Sequence, residues 1–219
     1  MEKRHLAIMQ LAIAEIKKPT FGTIERVLNV HEVANLDDSK NVYIDDSETP
    51  GNYKVYFKLR KEPYCLVVMI DVKDDQILVS GSYIEGYARV YVCVYSDDLS
   101  PDEISRRVGL RPTKIIVKDT AIAEKVSKKA AENQWFYEPQ RDLPYSVERK
   151  LDYLLAQLMP FSKNIAALPP GTSPCIHICY KGYKDWMGGW HFDVNRIQQI
   201  SEINAEVDFD LYASGPDFL

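Results

Sequence analysis

Val90-Tyr-Val-Cys-Val-Tyr-Ser-Asp-Asp-Leu-Ser-Pro-Asp-Glu-Ile-Ser-Arg-Arg-Val-Gly109 is the stretch whose reading decides the fold class. Side chains alternate between the two faces of a strand, so Val90, Val92 and Val94 point one way and Tyr91, Cys93 and Tyr95 the other. Apolar residues on both faces predict an interior strand. Ser96-Asp97-Asp98-Leu99 ends it. Ser100 then offers a hydroxyl to the open N–H groups of a first helical turn, and Glu103, three residues on, completes a capping box. Pro101 suits that first turn, where its missing N–H costs nothing, and Gly109 closes the helix. A buried strand running into a capped helix predicts a mixed fold.

The same pattern continues toward the C-terminus. Lys114-Ile-Ile-Val-Lys118 reads as a strand, and Val147, Leu151, Leu154, Leu155 and Leu158 form the stripe of an amphipathic helix stopped or kinked at Pro160. Cys175–Tyr180 and Trp190–Phe192 read as strands flanking the turn Trp186-Met-Gly-Gly-Trp190. Asp193 caps a short helix through Ile197 and Ile200, and Val207, Phe209 and Leu211 mark a closing one-sided strand. Residues 88–219 are thus expected to form a strand–helix alternating sandwich, a ferredoxin-like variant.

Toward the N-terminus the periods differ. Leu6, Met9, Ile13 and Ile16 fall at helical spacing, Pro19-Thr20 breaks the chain, and Ile24, Val27 and Leu28 begin a second helix. A short strand is expected at Val42-Tyr-Ile44. Tyr53, Val55, Phe57 and Leu59 alternate with Lys54, Tyr56, Lys58 and Arg60, which predicts one buried and one wet face. Tyr64–Ile70 is apolar throughout, and a turn at Lys73-Asp-Asp-Gln76 leads to Ile77–Tyr83. Residues 1–87 therefore read as an N-terminal helix plus antiparallel meander, an α+β unit bounded near Gly86. The apolar start is short and interrupted by Gln10, unlike a secretory signal, and no run approaches the ~18 apolar residues of a membrane span. The expectation is a cytoplasmic protein without a membrane partner.

Tyr95-Ser-Asp-Asp-Leu-Ser-Pro-Asp-Glu-Ile104, then Gly109-Leu110, Pro112, Trp135, the helix near Leu151, Gly189-Trp190 and Asp208-Phe-Asp-Leu-Tyr212 together resemble an uncharacterised bacterial family, domain of unknown function 4279. The resemblance spans about residues 88–213. It implies a compact α+β domain in bacterial cytoplasmic proteins, associated with the immunity proteins of toxin systems, and it carries no assigned functional residues.

Chemistry is sparse in the sequence. No phosphate-binding glycine loop, nucleophile elbow or zinc-protease motif is present. Cys175, His177 and Cys179 alternate onto one strand face but match no metal-ligand spacing, so no metal, cofactor or catalytic residue is assigned. The charges are informative instead. Glu32, Asp37, Asp38, Asp45, Asp46 and Glu48 face Lys40 alone between His31 and Pro50, and Glu202, Glu206, Asp208, Asp210 and Asp217 meet no base after Ser201. Such a balance disfavours nucleic acid and favours a basic protein partner, of which a toxin is one kind. The expected partner-binding residues are Asp37, Asp38, Asp45, Asp46 and Glu48, with Trp186 and Trp190 as aromatic anchors. The expected function is a non-enzymatic, immunity-type inhibitor. A small-molecule-binding or hydrolytic site near Asp97, Asp98 and His177 is the alternative.

Overall fold

The computed structural model describes residues 2–36, 41–46, 49–74, 76–123 and 126–217. The fold is α+β and the chain divides into two compact units. Unit 1 comprises Met1–Tyr87 with Lys181–Gly188 and Tyr212–Leu219, and unit 2 comprises Ala88–Tyr180 and Gly189–Leu211.

Unit 1 opens with α1 (Glu2–Lys17) and α2 (Gly22–Val30), followed by β1 (Val42–Asp45), β2 (Asn52–Lys58), β3 (Cys65–Lys73) and β4 (Gln76–Glu85). The strands form an antiparallel sheet in chain order. Ile8, Ala12 and Ile16 of α1 and Ile24 and Val27 of α2 join Val55, Phe57, Leu66, Val68 and Ile70 in one core. The break at Pro19 is held by Glu15, whose buried carboxylate accepts from the Thr20 and Phe21 N–H groups and the Thr20 hydroxyl. β3 and β4 shift register after Met69, opposite Gly81, where an added Cβ would lie 2.5 Å from the Met69 methyl group. Strict alternation fails in β2: Tyr56, expected on the wet face, is fully buried. Strands pairing on both sides let a long side chain be covered by its neighbours.

Unit 2 begins at β5 (Tyr87–Ser96) and continues through α3 (Pro101–Val108), β6 (Lys114–Ile116), β7 (Ala121–Ala123), β8 (Val126–Lys129), β9 (Asn133–Tyr137), α4 (Val147–Leu158), α5 (Ser162–Ala166), β10 (Thr172–Tyr183), α6 (Val194–Glu202) and β11 (Glu206–Ser214). The capping box forms as the residues dictate: Ser100 accepts from the Glu103 N–H while the Glu103 carboxylate accepts from Ser100. Gly109 closes α3 at φ 82°, a conformation side chains resist. Five strands assemble in the order β11-β10-β5-β9-β6, and β7 pairs β8 separately. Trp135 of β9 lies against Val94 on one side and Ile115 on the other, and its indole N–H donates to the Ser105 hydroxyl of α3 at 3.0 Å. Pro160 sits in a 3₁₀ turn, Met159–Phe161, between α4 and α5. Trp190–Phe192, expected as a strand, forms none. Its rings stack instead: Trp190 and Phe192 lie on Phe209 at 5.9 and 6.0 Å. No helix among the described residues is long and apolar enough to cross a membrane.

Candidate functional site

The helices of unit 2 cover one face of its sheet. Ile104, Val108, Leu151, Leu154, Leu155, Leu158, Ile165 and Ile200 all pack into the cluster that holds Val90, Val92, Val94, Trp135, Ile176 and Ile178. Alternation sends the intervening residues to the other face: Tyr91, Cys93 and Tyr95 from β5, Phe136 from β9, Cys175, His177 and Cys179 from β10, Asp208 and Asp210 from β11. This second face carries the chemistry of the unit.

Its centre is a line of three side chains from three strands. The Tyr95 hydroxyl lies 2.8 Å from His177 Nε2, and His177 Nδ1 lies 3.4 Å from Asp208 Oδ2. The Tyr91 ring stacks on the imidazole, 5.1 Å between centroids and 13° between planes. Burial lowers the His177 pKa below its ordinary value, against the opposing pull of Asp208 and Asp210. The ring is then neutral at pH 7, so its Nε2 lone pair accepts the phenol proton, while the Asp208 carboxylate stands 3.4 Å from Nδ1, beyond ordinary hydrogen-bond length. Burial also raises the Tyr95 phenol and pushes Tyr91 up to about 12. The order carboxylate–imidazole–hydroxyl matches that of a nucleophile relay, but a phenol pushed upward keeps its proton. The thiols beside it behave alike, Cys93 at about 12 and Cys175 at about 11, both through burial, and a protonated thiol is a poor nucleophile.

On the β6 side the face turns basic. Arg89 makes a bidentate pair with Glu138, 2.7 Å at each contact, and its guanidinium lies 4.9 Å above the Tyr91 ring. Lys114 sits 5.4 Å over Phe136. These residues, with Thr113 and Arg141, line a cavity of about 290 Å³. On the β11 side it turns acidic, with Glu206, Asp208 and Asp210 exposed.

A family model described as Domain of unknown function (DUF4279) matches residues 85–214, more than half of the chain. The chain belongs to this family. No curated protein and no solved structure matches it. The DUF4279 match contains every residue of the second face.

The residues singled out by sequence reading lie in several settings. Asp37, Asp38 and Glu48 fall outside the described residues. Asp45 is buried at the end of β1, in register with Lys54, and Asp46 is exposed with His5 Nε2 at 3.2 Å. Trp186 packs against the core of unit 1 and Trp190 against that of unit 2. Asp97 pairs with Lys118 at 2.7 Å, and the turn carrying Asp98 is tied by Ser96, whose hydroxyl accepts from the Asp98 and Leu99 N–H groups. His177 is hydrogen-bonded to Tyr95 and lies beside Asp208, rather than beside Asp97 or Asp98. Among the described residues no group of three or more His, Cys, Asp or Glu is placed to hold a metal. Sequence reading missed Tyr91, Tyr95, Arg89, Lys114 and Phe136 as parts of a site. The alternation of β5 placed both tyrosines on one face, but only the pairing of distant strands brings His177 to them.

Proposed function

We propose that this DUF4279 domain is a non-enzymatic binding protein of the immunity type, which takes an extended basic segment of a partner protein along β11. The observation that carries this reading is the make-up of an edge. β11 is the outermost strand of its sheet, nine residues long and free of proline. An edge strand offers a row of N–H and C=O groups to another chain. Glu206, Asp208 and Asp210 alternate along it, while Phe209 and Leu211 remain 44% and 53% exposed. Main-chain pairing supplies affinity in such an addition and alternate side chains supply selectivity. Lysine or arginine opposite the acids is favoured, and a second copy of this strand is opposed by like charge. A toxin with a basic surface, met in the cytoplasm, fits that chemistry. The protonated phenol and thiols of the second face support binding over hydrolysis.

The test is capture of the purified product of the adjacent gene, comparing wild type with the variant Glu206→Gln/Asp208→Asn/Asp210→Asn. Removing charge at a rim acts mainly on association rate, so the variant should associate on the order of tenfold more slowly at low salt. Equal association rates and equal salt dependence would overturn the reading.

A further inference from the structure

The cavity at the opposite end of the sheet from β11 has its own chemistry. Its floor is aromatic: Tyr91 and Phe136 lie 6.0 Å apart, tilted by 49°. Its walls hold three cations, Arg89, Lys114 and Arg141, against one carboxylate, Glu138. That carboxylate is committed, since both of its oxygens accept from Arg89 and its side chain is only 7% exposed. Among the described residues, Lys114 and Arg141 pair with no carboxylate. Two positive charges therefore face a concave space over two rings.

The frame is built to hold that arrangement. The Thr113 hydroxyl accepts from the Glu138 N–H at 2.9 Å, and the Thr113 N–H donates to the Phe136 carbonyl at 2.7 Å. Buried Lys150 of α4 donates to the Arg141 carbonyl and to the Ala88 carbonyl, which fixes the loop bearing Arg141 beside the start of β5. Like charges brought together around a cavity cost energy unless an anion offsets them. A floor of ring faces adds area for a flat apolar body.

We infer that this cavity binds a small planar organic anion, its ring lying on Tyr91 and Phe136 and its carboxylate or phosphate meeting Lys114 and Arg141. Its volume of about 290 Å³ sits at the lower end of small-molecule sites and suits a ligand of one ring. This inference is independent of the β11 reading, because the residues involved lie on β5, β6, β9 and the segments next to them, and none lies on β11.

Calorimetric or NMR titration at low ionic strength with benzoate, phenyl phosphate, inorganic phosphate and neutral benzamide tests it. For ligands of this size a Kd on the order of a millimolar is expected. Benzoate and phenyl phosphate should saturate, each more tightly than benzamide, and phenyl phosphate more tightly than inorganic phosphate. Lys114→Ala and Arg141→Ala should each weaken binding roughly threefold, as exposed charge pairs do, while Lys118→Ala, which removes a cation outside the cavity, should leave it unchanged. Absence of saturation by both aromatic anions would overturn the inference. So would benzamide matching benzoate, inorganic phosphate matching phenyl phosphate, or unchanged affinity in the Lys114→Ala/Arg141→Ala double variant.

Discussion

The strands of unit 1 lie beside one another in the order the chain makes them, whereas unit 2 orders its sheet β11-β10-β5-β9-β6. The difference governs what each sheet can carry. A meander joins neighbours through short turns, so its facing residues come from nearby sequence. In unit 2, Tyr95 and His177 meet across 82 positions, and Asp208 arrives from a third strand. Unit 1 also buries polar groups, but they finish the fold: Glu15 ties the corner between two helices, and His31 lies 3.2 Å from the Tyr183 hydroxyl inside the core. Non-sequential order is what gathers distant chemistry onto one face.

The largest test of that contrast is removal of Trp135, the side chain joining β5, β6 and α3. Trp135→Ala should cost about 3–5 kcal/mol, as large core truncations do. Hydrogen exchange should accelerate in β9 and α3 well before β2 and β3. Equal acceleration in both sheets would mean that the units do not differ in their local stability.

Glu15→Ala is the matching change in unit 1. It strips the acceptor from two backbone N–H groups and a hydroxyl, which should cost about 1–3 kcal/mol. Denaturant unfolding measures the loss, and a midpoint shift no larger than that of an exposed substitution would show that water replaces the carboxylate.

Next in size is the pH response. Burial depresses both His177 and His31 below 6.5, opposed by Asp208 and Asp210 in one case and by Glu62 in the other. The unfolded chain therefore takes up these protons first as pH falls. Each histidine contributes stability that is present above pH 6.5 and lost as pH drops through its depressed folded value. Denaturation midpoints should fall between pH 7.5 and pH 5, with His177→Asn and His31→Asn each removing part of the drop. Exchange measurements should assign the first part to unit 2 and the second to unit 1. A pH-independent midpoint over that range would contradict the linkage.

Smaller still is Ser100→Ala, about 1 kcal/mol for a lost N-cap, checked by thermal unfolding. If the box is redundant with tertiary packing of α3, the change will fall within that of a surface site.

What could be read from the sequence follows the same divide. The capping box at Ser100 and Glu103 and the glycine stop at Gly109 act within a few positions, and the successive strands β2, β3 and β4 pair with their neighbours in the chain. β9 was not anticipated, although Trp135-Phe-Tyr137 has strand-forming residues, because its place between β5 and β6 is set by pairing across tens of residues. Trp190–Phe192, expected as a strand beside the Trp186–Trp190 turn, forms none, because its rings are satisfied by stacking on Phe209. For the site, His177 was visible as a residue facing Cys175 and Cys179. Its link to Asp208 was not, because the strand order that places β11 beside β10 is not encoded in any local period.

The most direct measurement is an amide chemical-shift titration of the full chain with a ten-residue peptide of alternating lysine and valine. If β11 is the recognition edge, shifts will concentrate between Glu206 and Leu211 and on the neighbouring residues of β10, weaken with added salt, and largely vanish in Glu206→Gln/Asp208→Asn/Asp210→Asn. Shifts concentrated in β1–β4, or along β11 but equal in the neutralised variant, would contradict that assignment.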